Sequence, residues 1–192
     1  MNTIDNIYEE IYEINKSKFI SIAYPVFDED SCKKYLDELN KKYSDATHIC
    51  FAYVLSSPKV EKCSDNGEPS GTAGKPLLEL LKKKKLSNVM IVVIRYFGGI
   101  KLGAGGLVRA YTNSGNLSLN KAKVIEVKEV NKYRVQLEYD SVNQFKNLVA
   151  SNQGSILNTQ YSDRAIIEFV CEDISAFGEY DLELIGSEKV WK

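Results

Sequence analysis

The sequence predicts an α+β protein of two domains, and three observations support this prediction. Residues 1–123 mix strand-like alternation with amphipathic helical segments, and the glycine-rich stretches are confined to them. Residues 124–192 follow the order strand, helix, two strands, helix and strand, which is the βαββαβ order of a ferredoxin-like domain. The chain has 192 residues of which 44% are hydrophobic, enough for packed cores. We therefore expect domains at 1–123 and 124–192, with a boundary near 122–130.

The first elements follow from two periodicities. Residues 6–14 alternate between apolar and acidic side chains, a two-residue turn follows, and residues 19–24 form a second strand, which predicts a hairpin. Asp28 and Asp30 then offer N-cap carboxylates to a helix. Its apolar residues recur every three or four positions as far as Tyr43, which indicates an amphipathic helix.

The other elements of this domain end or begin at glycine-rich stretches. Residues 47–55 are apolar on both faces and predict a buried strand, and residues 56–72 predict a polar loop. Pro76 is suited to the first turn of a leucine-rich helix. Residues 88–97 are the most apolar strand and should be central. Five glycines lie within 98–106, and a helix is expected after them.

The elements of the second domain come from the same periodicities. They are a strand at 124–139, a helix at 141–152, strands at 155–161 and 164–171, a helix at 174–185 and a strand at 187–191. A two-residue link at 162–163 is short enough to close the central hairpin.

Composition excludes several classes of protein. Twelve Tyr and seven Phe are atypical of disordered chains. The longest charge-free run, 147–162, has 16 residues and is rich in polar side chains, so it is unsuited to a membrane span. The first twenty residues lack the basic start and apolar centre of an export signal. The four cysteines form no C-x-x-C pair, so reduced thiols in a cytoplasmic protein are expected.

The charges are unevenly distributed, although the formal net charge is only −1. Residues 41–111 carry an excess of seven positive charges, while 1–40 and 112–192 carry excesses of five and three negative charges. Such a basic block attracts anions even in a nearly neutral protein. Lys82–Lys85 supply over half of the excess and are also explained as a solvated helix end. The cations that stand among glycines are Lys75, Arg95, Lys101 and Arg109.

The first glycine-containing stretch, residues 64–76, leads into a helix. Backbone N–H groups at the start of a helix favour an anion, which makes Gly71 and Gly74 candidate phosphate-binding residues. Asp65 and Glu68 would repel a phosphate unless they are paired or bridged by a cation. The alternative is that residues of this stretch only close turns or cap the helix.

The second glycine-containing stretch, residues 95–111, also joins a buried strand to a helix. Its glycines allow a close approach of backbone to a ligand, and Arg95, Lys101 and Arg109 are in a position to converge on it. The alternative is tight helix–strand packing with solvated cations. The glycines expected at the site are Gly103, Gly105 and Gly106.

His48 is the only histidine, and it shares a strand face with Cys50. It is either a core residue or, because it stands near the strand end, a group that faces the glycine loops. Zinc bound by His48, Cys50 and Cys63 matches no known spacing, so no metal is expected.

Four segments of the chain resemble the YigZ/IMPACT family, in the order found in that family. They are residues 17–20, 47–53, 64–76 and 95–111, and residues 124–192 are similar to the family's usual C-terminal domain. Asn66 stands where the family pattern has a second Asp and Ile94 where it has Thr, and the first change argues against a divalent-metal site that needs paired acids.

The resemblance implies a two-layer α/β N-terminal domain of the ribosomal-protein-domain-2-like fold, followed by a ferredoxin-like domain similar to one in elongation factor G. It also implies a role in translation, because eukaryotic relatives control translation initiation under stress, with an additional N-terminal domain. For bacterial members it implies nucleic-acid binding, and no reaction or cofactor is attached to the family. Fold is carried over by such a likeness more securely than function.

The leading interpretation is a regulatory protein that binds RNA or the ribosome through the basic glycine-rich surface, with translation-control proteins as further partners. One alternative is an enzyme of nucleotide or phosphoester chemistry in which His48 or Asp65 accepts a proton. Another is a protein-interaction module whose glycine loops are purely structural.

Overall fold

The computed structural model describes residues 2–191, which form two compact units divided between Glu126 and Val127. The elements of the first unit are β1 (Asn2–Ile4), β2 (Tyr8–Ile14), β3 (Ser17–Pro25), α1 (Glu29–Lys42), β4 (His48–Ser56), β5 (Lys59–Ser64), α2 (Gly74–Lys83), β6 (Val89–Tyr96) and α3 (Gly103–Lys121). β7 (Val124–Leu137) begins in the first unit and continues in the second, which also contains α4 (Val142–Ser151), β8 (Ser155–Tyr161), β9 (Ala165–Val170) and β10 (Glu183–Trp191). No α-helix within residues 2–191 is both long and apolar enough to cross a membrane.

The main sheet of the first unit is antiparallel and has the strand order β2-β3-β6-β4-β5. The predicted hairpin is confirmed, and Asn15 and Lys16 form its turn with φ angles of 47° and 62°. β6 is central as predicted, because the whole run Val89–Ile94 is buried. Helices α2 and α3 cover one face of the sheet and α1 covers the other, so β6 is enclosed on both sides.

Helix α1 begins as its sequence predicts. The side chain of Asp28 accepts a hydrogen bond from the backbone N–H of Ser31 at 2.6 Å and so caps the helix. Cys32 and Leu39 on its inner face are buried against the sheet. Capping and amphipathic spacing are local signals, which is why this element was predictable.

Strand register places three side chains in one row across the sheet. Phe19 of β3 and His48 of β4 both lie directly opposite Arg95 of β6. Directly opposed residues of antiparallel strands point to the same face, which here is the face that packs against α2 and α3. The row lies at the strand ends next to the start of α3, and it forms the base of the site described below.

Two predictions about local structure are wrong. The expected loop at 56–72 contains β5, an edge strand in which only Val60 and Ser64 are partly buried, so the apolar alternation of a strand is almost absent. The expected helix at 174–185 is a single 3-10 turn at Ser175–Phe177, followed by β10. Phe177 packs its ring against Phe145 and Phe169, and residues from Glu183 onward pair with β7 instead of forming helical hydrogen bonds.

The second unit has antiparallel strands in the order β10-β7-β9-β8, with α4 packed on the sheet. Because the second helix is missing, the predicted βαββαβ order is incomplete. In the first unit, β1 was not predicted: its residues pair antiparallel with residues 124–126, and Ile4 is fully buried in the core.

Candidate functional site

A cavity of about 440 Å³ opens between the ends of β4 and β6 and the start of α3. We call it the His48 cavity. It is lined by Thr47, His48, Glu68, Pro69, Arg95, Phe97, Lys101, Leu102, Gly103, Ala104 and Leu107. Its size falls within the range of small-molecule sites. The two glycine-containing stretches of the sequence and the only histidine therefore meet at one place.

The deepest polar feature of the cavity is an ion pair between Arg95 and Glu68. Nη1 of Arg95 lies 2.5 Å from Oε1 of Glu68, and the two side chains are only 6% and 3% exposed. The same carboxylate oxygen accepts a hydrogen bond from the buried Tyr111 hydroxyl at 2.8 Å. The guanidinium carbon lies 5.3 Å and 5.4 Å from the ring centroids of Phe19 and Phe97. Within the described chain, Nε of Arg95 is buried with no hydrogen-bond partner.

His48 is held in one orientation by the loop after β5. Its Nδ1 lies 2.8 Å from the carbonyl oxygen of Asn66, and because a carbonyl only accepts, Nδ1 carries the hydrogen. In the neutral ring Nε2 then has a free lone pair, and it lies 3.9 Å from Oε2 of Glu68. A side chain on Gly67 would lie 3.3 Å from Nδ1, so the glycine leaves room for the ring. His48 is therefore oriented to accept or donate a proton at Nε2.

Asp65 has a different role from the one predicted for a proton acceptor. Its carboxylate accepts hydrogen bonds from the backbone N–H groups of Gly71, Ala73 and Gly74 at 2.8, 2.9 and 2.8 Å. Burial alone would raise the pKa of this carboxyl, but the three donors outweigh it and hold the pKa below its ordinary value. Asp65 thus occupies the N-terminus of α2, as a phosphate would.

The prediction that Gly71 and Gly74 bind phosphate is not retained, because Asp65 engages their amides. Gly74 has a packing role as well: a Cβ there would lie 2.7 Å from backbone atoms of Ser64, closer than real contacts. The alternative reading, in which this stretch closes turns and caps a helix, describes the stretch around α2 better.

The four cations do not converge as predicted. Arg95 and Lys101 line the His48 cavity. Lys75 lines a separate cavity of about 580 Å³ beside α2 and α3. Arg109 is exposed on α3 and lines neither of these cavities. The long-range placement of exposed side chains depends on helix orientation, which spacing in the sequence does not encode.

Unlike the N-terminus of α2, that of α3 has no carboxylate from residues 2–191 hydrogen-bonded to its amides. Leu102 stands at the N-cap position and makes no side-chain hydrogen bond to the helix. Gly103 has a φ of +69°, which favours glycine, while Gly105 and Gly106 lie in the first turn. The first amides of this helix consequently remain available at the mouth of the His48 cavity.

Sequence reasoning missed two residues of the site. Glu68 was considered as a charge that repels phosphate unless it is paired or bridged by a cation, without a named partner, and Tyr111 was not singled out. Glu68 stands in the stretch 64–76 and Tyr111 ends the stretch 95–111, so both lay within recognised segments. The signal that could have led to them is Arg95 at the end of a buried strand, because a buried arginine needs a carboxylate partner. That partner is Glu68, and Tyr111 donates to the same carboxylate.

The cysteines do not form a metal site. Cys50 donates to the carbonyl oxygen of Asp65 at 2.9 Å, and burial raises the pKa of its thiol to about 12. Cys63 is exposed on β5. Among residues 2–191, no group of three or more His, Cys, Asp or Glu side chains is arranged to hold a metal ion.

Both the sequence and the fold of this chain are similar to those of known proteins. Residues 15–119 match the Impact N-terminal domain. The chain is 38% identical over 189 residues to the IMPACT family member YvyE of Bacillus subtilis, covering 97% of this chain and 87% of that protein. It is 34% identical over 154 residues to the IMPACT family member YigZ of Escherichia coli, covering 79% and 76%. A crystal structure of a hypothetical protein is similar with a TM-score of 0.68 and 29% identity, covering 97% of both chains.

Proposed function

Because this chain belongs to the IMPACT family, we propose that it is a translation-associated regulatory protein that binds RNA, free or in the ribosome. The proposal places the contact surface around the N-terminus of α3. The link to translation rests on the family resemblance, since eukaryotic relatives control translation initiation. The observation that carries the RNA contact is the start of α3, whose amides have no side-chain cap and which is flanked by exposed cations.

Ion pairing separates the cations that can bind phosphate from those already neutralised. Lys82 lies 2.6 Å from Glu61, and Arg95 is paired with Glu68. Lys75, Lys101 and Arg109 are exposed and make no ion pair with the described residues. These three, with the amides of Gly103–Gly106, form the RNA surface that we propose. Exposed, unpaired cations gain most from contact with phosphate because they are not already bound to a carboxylate.

Salt dependence of RNA binding tests this proposal. Lys101→Ala and Arg109→Ala should each weaken binding of a single-stranded RNA without changing preference among sequences. Each lost phosphate contact should reduce the slope of log affinity against log salt by about 0.7 to 0.9. Lys34→Ala is the matched control, because it removes one exposed positive charge from α1 on the other face of the sheet. An equal loss in the control, or no RNA binding by the unmodified protein, would overturn the proposal.

A second candidate function is catalysis on a nucleotide or phosphoester. The observation that favours it is His48, whose Nε2 has a free lone pair in a cavity that also holds Arg95 and Lys101. A general base in this position would make His48→Gln lower turnover by about a hundredfold or more while the fold survives. Failure of the unmodified protein to turn over any substrate in a phosphoester screen would reject this candidate and favour a binding function.

A further inference from the structure

We propose that the His48 cavity binds one nucleotide by its phosphomonoester group, either as a free nucleoside monophosphate or as the phosphorylated end of an RNA strand. The inference rests on the proposed function in one respect, since the RNA surface at α3 leads to the mouth of this cavity. It goes beyond that function because it names a distinct ligand group and a distinct set of contacts.

Three kinds of positive group face the cavity. Lys101 stands at its mouth, the uncapped amides of α3 begin at Gly103, and Arg95 lies at its base. The Arg95 side chain is 6% exposed, and its Nε is a buried donor without a partner in the described chain. A buried donor normally has an acceptor, and an oxygen of a bound ligand would supply one. The arrangement therefore points to an anion with several oxygens.

Glu68 requires a ligand that carries a hydrogen-bond donor as well as a negative charge. Its Oε1 accepts from Arg95 and Tyr111, whereas the one polar partner that the described residues bring near its Oε2 is His48 Nε2, at 3.9 Å, too far for a hydrogen bond. A carboxylate oxygen in this position calls for a donor and repels phosphate. A ligand that places phosphate near Lys101 and α3, and a hydroxyl near Oε2, satisfies both ends of the cavity. Every ribonucleotide carries this combination, because it has both a phosphate group and ribose hydroxyls.

The apolar lining provides a place for the base. Phe97 is 45% exposed at the rim, and the guanidinium carbon of Arg95 lies 5.4 Å from its ring centroid. An exposed aromatic ring next to a phosphate site is the usual platform for stacking a nucleobase, and it tolerates any base. The volume of about 440 Å³ suits one nucleotide unit and not a folded segment of RNA.

Calorimetric titration of the full-length protein tests the cavity directly. AMP should bind at least tenfold more tightly than adenosine, which lacks the phosphate, and than inorganic phosphate, which lacks the hydroxyls and base. Lys101→Ala should weaken AMP binding at least fivefold, and Phe97→Leu should weaken AMP binding but not phosphate binding. Lys34→Ala, on α1, should change neither. Melting curves confirm that each variant is folded.

A second set of titrations separates the two sources of the nucleotide. Oligoribonucleotides of one sequence are compared with a 5′-phosphate, a 3′-phosphate or hydroxyl ends. If the oligoribonucleotide with one of the phosphorylated ends binds more tightly than the one with hydroxyl ends, and AMP abolishes this difference, the result supports capture of an RNA terminus. If AMP binds but the terminal phosphates do not change the affinity for the oligoribonucleotides, the result supports a free nucleotide as the ligand.

The two proposals fail in different ways. If RNA binds with the expected salt dependence but neither AMP nor a terminal phosphate has an effect, the nucleotide inference is overturned and RNA binding stands. If AMP binds and no oligoribonucleotide does, the RNA proposal is overturned and the nucleotide inference stands.

Discussion

The Glu68 carboxylate lies 2.5 Å from Nη1 of Arg95 with both side chains more than nine-tenths buried. Since Tyr111 donates to the same oxygen, one carboxylate joins the loop before α2, the central strand β6 and helix α3. Deep burial of both charges makes this pair a structural element of the cavity as well as a part of its chemistry. Each of its members depends on the other for charge compensation.

Loss of one partner should therefore be much worse than loss of both. Glu68→Ala should lower the free energy of unfolding by about 3–5 kcal/mol, because it leaves the buried Arg95 charge uncompensated. Urea denaturation followed by circular dichroism measures the change. The double variant with Glu68→Leu and Arg95→Met should be more stable than Glu68→Ala alone. If the double variant is less stable than Glu68→Ala, charge compensation is not the main contribution of this pair to stability.

Asp65 gives the protein a pH-dependent stability. Its pKa is lowered in the folded state, so its contribution is fully present above the pKa of an unfolded aspartate and is lost as pH falls through the folded value. Asp65→Asn should reduce the free energy of unfolding by about 1 kcal/mol at pH 7, the usual value of a helix cap. The difference between the two proteins should shrink below about pH 4. Asp37→Asn, at an exposed position of α1, serves as control and should show no such trend.

Two glycines of the sequence should respond oppositely to alanine. Gly74→Ala should destabilise the fold, because the added Cβ would lie 2.7 Å from backbone atoms of Ser64 and the Asp65 hydrogen bonds would be displaced. Gly105→Ala should be neutral or stabilising by about 0.5–1 kcal/mol, because it lies in α3 and its nearest contact would be Arg109 at 3.7 Å. Thermal melts of both variants check the contrast, and equal effects would contradict it.

Only one of the four cysteines should react in the folded protein. Cys63 is exposed, whereas Cys32, Cys50 and Cys171 are buried. Desolvation, followed by the charge of Asp65, raises the pKa of the Cys63 thiol, so its alkylation by iodoacetamide should be slow at pH 7 and faster at pH 9. Mass spectrometry should show one label on the native chain and four after unfolding. Native labelling that persists in Cys63→Ser would refute this assignment.

We also propose that residues 1–126 fold without the rest of the chain. This fragment keeps the pairing of β1 with residues 124–126, which a fragment ending at residue 123 would lose. Because Ile4 is fully buried, the shorter fragment should melt at a lower temperature. Equal melting temperatures would show that the pairing of β1 with residues 124–126 contributes nothing to the stability of this unit, and an unfolded longer fragment would contradict the domain assignment itself.

Local signals explain which parts of the fold were predictable from the sequence. The Asn15–Lys16 turn, the Asp28 cap and the apolar run of β6 are each determined by a few adjacent residues. β5 escaped prediction because an edge strand with two exposed faces has no apolar alternation to detect. The end of the segment at 174–185 was misassigned because residues from Glu183 onward pair with β7, about fifty residues earlier in the chain.

The site was predictable in its location but not in its contacts. The two glycine-containing stretches were expected to share a site, and His48 was considered either a core residue or a group facing them; all three line one cavity. The loop between β5 and α2 carries both Asp65, which caps α2, and Glu68, which pairs with Arg95. Both contacts depend on the path of this loop over several residues. Such a path follows from tertiary packing, and no spacing rule describes it.

The pairing of β1 with the start of β7 has a consequence for synthesis of the protein. Asn2 lies opposite Glu126, so β1 is synthesised well before the strand with which it pairs, which is made last in this unit. At roughly 5–20 residues per second, residue 126 follows residue 4 by about 6 to 24 s. During that interval Asn2 and Thr3 can make their hydrogen bonds to residues 87–88, but the strand pairing of β1 with β7 cannot form. Completion of the first unit is thereby timed by translation itself.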